Sequence, residues 1–367
     1  MDIRKKTDLI FEKTIINREI GKKAIYGGLF LGGGGGGSLA GGLEVLEQAL
    51  KHGVIKLSTI EEFDKDDIIV TASLVGSPAS KEKFIGENHY GQVYELFNKI
   101  YDGEIAGIMT NEMGAQAVTN GWIAAAMTGL PFLSSACNGR AHPTGAMGSM
   151  GLSTKRDYVT LQAGLGGKGV RETSIVTEGS IKATSELIVR GSMEAGGFLT
   201  VLRNPASIDY LKDNAAINCL NHAIDVGQVF MDNLGNPDEI VSGLEKLLDL
   251  EFVCQGQISQ YDLITKDGLD VGSLCVEGQE GSHDLTFWNE YISFDHEGQR
   301  LASFPDLIAI LDSESGLPII SAELELGRNV ILVNVKKEKI ILGKSMYDMD
   351  LLSQVEQVIG IDLVKYY

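Results

Sequence analysis

Residues 106–151 read AGIMTNEMGAQAVTNGWIAAAMTGLPFLSSACNGRAHPTGAMGSMG, and the reading of this stretch decides the fold. Ala106 to Met109 are apolar and suit a short buried strand. Asn111, Glu112, Met113 and Gly114 break that pattern with an amide, a carboxylate and a glycine. Residues 115–128 are alanine-rich and predict a helix packed on a sheet, stopped by Gly129 and Pro131. Pro131, Phe132 and Leu133 begin the next strand. The loop after it places Cys137, Asn138, Arg140 and His142 within six residues. If the two strands are parallel neighbours, Glu112 and the Cys137–His142 loop leave the sheet at the same edge. In open α/β sheets ligands bind at that edge. Structural roles stand beside the functional ones: Glu112 as a helix cap, Arg140 as a brace on carbonyls, Cys137 as a small core residue.

Working outward toward the N-terminus, residues 7–20 predict an amphipathic helix with Thr7 as its cap. Six consecutive glycines, Gly32 to Gly37, follow Leu31 and lead through Ser38 into a helix over 39–52. Gly34, Gly35, Gly36 and Gly37 could hold a ligand on exposed backbone N–H groups at the positive end of that helix. A Walker A loop is excluded because no Gly-Lys-Ser/Thr follows. A dinucleotide fingerprint matches only trivially, so no nucleotide cofactor is expected. Strands are predicted over 54–57 and 67–75, and a helix over 91–101. Residues 152–168 are expected to return toward the surface.

In the second half, helices are predicted over 180–193, 207–228 and 238–250, with Glu186 and Arg190 as a helical ion pair. A strand is expected over 198–204. From Phe252 to residue 338 apolar and polar residues alternate in short runs, the mark of antiparallel strands. Within that region Asn289 and Glu290 follow an aromatic pair, and since neighbours on a strand face opposite ways only one of them can enter a given cleft. A short amphipathic helix closes the chain. The expected architecture is α/β. A domain over 1–168 holds a mostly parallel sheet, the glycine loop and the Glu112 and Arg140 loops. An α+β domain over 169–367 is helical at 175–250 and β-rich at 252–345.

Composition narrows the function classes. The 367 residues carry a formal net charge of −19, which argues against nucleic acid and anionic membrane surfaces as partners. No window of 18 uninterrupted apolar residues occurs, so no membrane span is expected. The polar start and four scattered cysteines suit free thiols in a reducing cytoplasm. The expected partners are a small-molecule substrate and further copies of the chain in a homo-oligomer.

Collected in order, several of these stretches resemble the S-methyl thiohydantoin desulfurase-like family. They are Leu31 to Gly37, Gly76-Ser77-Pro78 with Glu82-Lys83, and Glu112 with Gly114. Leu130-Pro131 and Gly139-Arg140-Ala141-x-Pro143 follow, then Glu186 with Arg190, Asn289-Glu290 and Pro305 to Ile308. The resemblance implies hydrolysis of a carbon–nitrogen or carbon–sulfur bond in a small five-membered nitrogen ring such as a hydantoin, thiohydantoin or imidazolone. Glu112, Arg140, His142, Asn289 and Glu290 become the candidate catalytic residues, with Asn111, Asn138 and the glycine loop as ligand contacts. Cys137 and His142 are the candidate ligands of a zinc ion, although catalytic zinc usually takes three protein ligands. The chain departs from the family where typical members place aspartates, having Ser134, Ser135 and Ala136 instead. A non-catalytic binder or accessory protein that kept the fold is the alternative.

Overall fold

The structure is a computed structural model that describes residues 15–76, 80–266 and 269–367. Strand β1 (Ile15–Ile16) leads into helix α1 (Arg18–Leu31), capped by the Asn17 side chain, which accepts from Ile20 N at 2.9 Å. The helix expected over 7–20 therefore begins later: residues 15–16 pair in a sheet, and Thr7 lies outside the described residues. After the glycine loop, Ser38 caps α2 (Leu39–His52). Strands β2 (Ile55–Ser58) and β3 (Ile68–Gly76) follow, then α3 (Glu87–Ile100) and β4 (Gly107–Thr110).

The alanine-rich segment does not form one helix. A single 3-10 turn (Ala117–Thr119) precedes α4 (Trp122–Thr128), because Asn120 donates to Asn111 Oδ1 at 2.9 Å and Gly121 adopts φ +95°. Strand β5 (Phe132–Ala136) is followed by β6 (Thr160–Gly166), β7 (Thr173–Gly179), α5 (Ile181–Glu194) and β8 (Phe198–Ser207). These eight strands form one sheet in the order β1-β2-β5-β4-β3-β8-β6-β7. Strands β2, β5, β4 and β3 run parallel, and β1, β8, β6 and β7 are antiparallel to their neighbours.

Residues 160–166 thus lie inside the sheet rather than at the surface. Ala163, Gly164 and Gly166 give them little hydropathic signal, yet every residue of the strand is buried. The expected division at 168/169 falls between β6 and β7, which pair in this same sheet. The break between sheets comes later, across helices α6 (Ile208–Asn214), α7 (Cys219–Asp232) and α8 (Pro237–Leu248). The single helix expected over 207–228 is two, because Ala216 bridges to Ala136 and Asn218 takes φ +59°. On α5, Arg190 pairs with Glu194 at 2.6 Å and not with Glu186; both positions are exposed.

The second sheet is antiparallel, as the alternation predicted. Its strands are β9 (Glu251–Lys266), β10 (Leu269–Gly278), β11 (Gly281–Trp288), β12 (Glu290–His296), β13 (Gln299–Ser303), β14 (Leu307–Asp312) and β15 (Asn329–Val335). Their order is β13-β12-β11-β10-β9-β15-β14. Helix α9 (Met349–Ile359) packs Leu351, Leu352 and Val355 against Trp288 and Phe304.

Glycine is the device that brings these parts together. A Cβ on Gly27 of α1 would lie 1.7 Å from Ala223 O of α7, and one on Gly227 would lie 1.7 Å from Lys23 O. Each of these helical glycines forfeits about 1 kcal/mol of propensity, which the backbone-to-backbone crossing offsets through close packing. Gly27→Ala is therefore expected to lower stability by about 3 kcal/mol or more, because backbone must move. Gly129→Ala, at φ +74° with nothing within 4 Å of its Cβ, is expected to lose only about 1 kcal/mol. Urea midpoints of the two variants check this, and equal losses would contradict the crossing.

Candidate functional site

Strands β4 and β5 are parallel neighbours, and two backbone bonds extend their ladder past the strand ends. Cys137 N donates to Thr110 O at 3.3 Å, and Asn138 N donates to Asn111 O at 3.1 Å. The loops carrying Glu112 and Arg140 therefore leave the sheet together. Thr110 Oγ1 donates to Ala117 O at 2.6 Å and fixes the return of the first loop. Asn138 is fully buried, donates to Arg140 O at 2.8 Å and accepts from Gly343 N at 3.2 Å. Both asparagines expected to touch ligand thus have side-chain oxygens bonded within the protein.

Arg140 has no exposed surface. Its guanidinium lies over the Phe304 ring at 4.6 Å and its Nη1 donates to Pro305 O at 3.1 Å and to Asp306 O. Nε and Nη2 have no partner. Across from it, Asn289 takes φ +56° and is held by Asp270, donating its N–H to Asp270 O at 2.7 Å and accepting from Asp270 N at 2.9 Å. That corner turns Glu290 inward. Glu290 is 3% exposed, its Oε2 has no partner, and a Cβ on Gly35 would lie 2.1 Å from its Oε1. Of the adjacent pair, Glu290 enters the site and Asn289 shapes the corner.

The glycine loop meets the site through its carbonyls. Gly33 O accepts from Tyr291 N at 2.7 Å, Gly34 O from Ser321 N at 2.9 Å, and Gly36 O from Gln116 N and Ala117 N at 3.0 and 2.9 Å. Gly34 faces the Tyr291 ring, Gly37 faces Gln116, and a Cβ on Gly36 would lie 2.5 Å from Gly114 Cα. Gly33, against Arg140, and Gly35, against Glu290, border candidate catalytic groups directly.

Glu112 and His142 face each other, with Oε2 and Nε2 3.2 Å apart. Burial raises the Glu112 carboxyl to about 7, against the His142 backbone N–H, Arg203, Asn111 and Arg140, which all favour its charge. Burial lowers His142 to about 4, helped by the positive charge of Arg203. At neutral pH the contact is therefore not an ion pair: the imidazole is neutral, and Glu112 is poised between acid and carboxylate. Neither ring nitrogen of His142 makes an aligned hydrogen bond. Glu290 is pushed well above the carboxylate range by burial and by Glu112, with Arg140 opposing. Burial lowers Arg140 to about 10, against Glu290, Asp306 and Glu112, so it stays charged.

Cys137 belongs elsewhere. Its Sγ lies 3.3 Å from Thr71 Oγ1 within an apolar cluster, and burial raises the thiol to about 11. A thiol held protonated is a poor zinc ligand. Among the described residues no group of three or more His, Cys, Asp or Glu side chains is arranged to hold a metal ion, so the Cys137–His142 pair does not fit zinc. A cavity lined by Gln255, Glu277, Gln279 and Asn329 shares no residue with this cluster. Arg203 on β8 was not foreseen, although an arginine inside the apolar run of 198–207 is a signal, since a buried guanidinium needs a partner. It influences Glu112, His142 and Cys137.

Two family models cover most of the chain: the S-Me-THD-like N-terminal domain matches residues 22–166 and the S-Me-THD-like C-terminal domain matches residues 180–346. This chain belongs to the S-Me-THD-like family. No curated protein matches it in sequence. A protein from Chromobacterium violaceum, known from its crystal structure, is similar over 93% of this chain and 97% of its own, with a TM-score of 0.69 and 15% identity. That likeness concerns the fold. Ser134 and Ser135 have a structural role here. Ser134 Oγ donates to Asn218 Oδ1 at 2.9 Å, and Ser135 Oγ accepts from Asn218 N at 3.0 Å. Ser77 and Pro78, part of the sequence resemblance, lie outside the described residues.

A carboxyl raised from 4.5 to about 7 in the folded chain binds a proton that the unfolded chain releases. Its contribution to stability is present below about pH 4.5 and is lost as pH rises through about 7. The stability of the wild type relative to Glu112→Gln is expected to fall by about 3 kcal/mol between pH 4 and 8. Urea unfolding at each pH measures it, and a flat difference would mean that Glu112 titrates normally.

Proposed function

We propose that this S-Me-THD-like protein is a hydrolase of small five-membered nitrogen heterocycles, cleaving a carbon–sulfur or carbon–nitrogen bond at a ring carbon. The observation that carries the reading is the pair of buried carboxyl groups, Glu112 and Glu290, each within the influence of Arg140. Two carboxyls whose environments place their proton affinities apart divide the work of base and acid.

In its ionised form Glu112 takes a proton from a water molecule that attacks the ring carbon. Arg140, with Nε and Nη2 unpartnered, stabilises the negative charge that develops there. The carbon–sulfur or carbon–nitrogen bond then breaks, and Glu290, in the protonated form that its burial favours, gives its proton to the departing sulfur or nitrogen. For an S-methyl thiohydantoin the products are a hydantoin and methanethiol. Water supplies the oxygen and one hydrogen to each side, and the proton gained by Glu112 restores Glu290. Neutral His142 lies 3.2 Å from Glu112 and does not compete with it for charge. The family name supports the reading.

A second reading has its own observation. Ser134 and Ser135 stand where the family's aspartates stand and are spent on Asn218. If those aspartates serve the chemistry, this chain binds the ring without turning it over.

Incubation with S-methyl thiohydantoins and hydantoins, following methanethiol and ring products, separates the two. The hydrolase reading expects turnover that rises with pH through about 7 and falls at higher pH as Glu290 ionises. Glu112→Gln is expected to lower kcat by roughly 100-fold or more while folding is kept. Binding with no turnover of any ring would favour the second reading.

A further inference from the structure

One apolar cluster lies behind the site, and on the site's side its members are Met147, Trp288, Ile292 and Phe304. Each of them adjoins a group that the chemistry above uses or a neighbour of one. Phe304 is the ring under the Arg140 guanidinium, and the two residues after it supply the carbonyls that Arg140 binds. Phe304 N donates in turn to Ile292 O at 2.8 Å. Ile292 lies two residues beyond Glu290 on β12, and Trp288 is the cross-strand partner of Glu290. Met147 precedes Gly148, where a Cβ would lie 2.6 Å from Cε1 of the His142 ring.

The far side of the cluster comes from the end of the chain. Helix α9 contributes Leu351, Leu352 and Val355, and the turn after it contributes Leu363. These four residues lie beyond residue 346, where the match to the family's C-terminal domain ends. Leu352 and Val355 have no exposed surface. Asp348 caps the helix, accepting from Asp350 N and Leu351 N at 3.0 and 3.2 Å. Glu356 Oε1 accepts from Leu363 N and Val364 N at 2.5 and 2.7 Å and folds Leu363 back onto the cluster. Protein interiors are close-packed, so a side chain removed from one side of a cluster lets the other members shift. Arg140 is exposed to such a shift, because its Nε and Nη2 are unpartnered and its hold rests on the Phe304 ring and the two carbonyls beside it.

We propose that residues 347–367 are a positioning element of the site: α9 braces Phe304, and Phe304 holds the Arg140 guanidinium in place. Leu352, at the centre of the braced face, is then a positioning residue that acts through Phe304 and touches no reacting atom. The proposal deepens the hydrolase reading and rests on it for the role of Arg140 in turnover. A displacement of about 1 Å in such a group is enough to slow a reaction severely.

The test is NMR of the full chain labelled with nitrogen-15 arginine, the Arg140 Nε–H signal being assigned by Arg140→Lys; it needs no substrate. Leu352→Ala is expected to shift that signal and to speed its exchange with water by about tenfold or more, because the guanidinium loses its fixed seat. Leu244→Ala on α8, another fully buried leucine but in a different cluster, is expected to cost similar stability and leave the signal where it is. Glu356→Ala frees the turn bearing Leu363 and leaves the core side chains in place. It is expected to shift the signal the same way by less, and it decides the matter if Leu352→Ala does not fold. With any ring that the wild type turns over, Leu352→Ala is expected to lower kcat about tenfold while KM stays within about twofold. An unmoved Arg140 signal in the folded variant would overturn the proposal. An equal shift in Leu244→Ala would overturn it too, since that is general loosening. The expected shift in a chain that turns over no ring would support the positioning role and count against the hydrolase reading.

Discussion

A guanidinium with no access to solvent holds the two sheets of this protein in register. Arg140 leaves the end of β5 in the first sheet and ends on the carbonyls of Pro305 and Asp306, at the entry to β14 in the second. Phe304 stacks beneath it. Burying a charge in this way is expensive, and the carbonyl bonds offset only part of the cost. The rest depends on the carboxyl groups around it. Glu290 and Glu112 both feel Arg140, and both are buried too deeply to ionise as ordinary carboxylates do. Structure and reactivity thus come from one constraint: few charges, enclosed together, none fully satisfied.

The glycines make that enclosure possible. Gly33 and Gly35 leave room for Arg140 and Glu290, where any side chain would collide with Arg140 Nη2 at 2.7 Å or Glu290 Oε1 at 2.1 Å. Gly36 and Gly114 cross backbone to backbone, a Cβ on the latter lying 2.4 Å from Gly36 Cα. The loop therefore serves as a spacer between two sheets. Its carbonyls are bonded to both the Gly114 segment and the second sheet, so it resembles a joint more than the anion cradle that a glycine run before a helix suggests.

Much of this was legible in the sequence, for physical reasons. Short apolar strands followed by amide, carboxylate and glycine placed Glu112 and Arg140 at one sheet edge, because parallel neighbours release their loops on the same side. Alternation after Phe252 foretold the antiparallel sheet, whereas Asn289 and Glu290 diverge because Asn289 lies between two strands at φ +56° and Glu290 opens the second of them. What was hidden lacked a local signal. Strand β6 is built from Ala163, Gly164 and Gly166, which carry no hydropathic mark, although tertiary burial makes it central. The break at Asn218 follows from serines 83 and 84 residues away, which no local pattern shows. Arg203 was overlooked because its neighbours in the sheet, Gln162 and Thr71, come from other strands. The Cys137–His142 pairing failed for the opposite reason: closeness in sequence did not become closeness of function, since the thiol turns to Thr71 and the imidazole to Glu112.

The central claim is that Glu112 and Glu290 divide one proton economy between them, and direct titration of their carboxyl carbons tests it. Carbon-13 NMR of protein labelled at glutamate Cδ, with the two signals assigned by Glu112→Gln and Glu290→Gln, follows each group from pH 4 to 9. Glu112 is expected to titrate near 7, and Glu290 to hold its proton well above the pH at which an ordinary glutamate loses it. Two ordinary carboxylates, both ionised by pH 5.5 or so as exposed glutamates are, would contradict it.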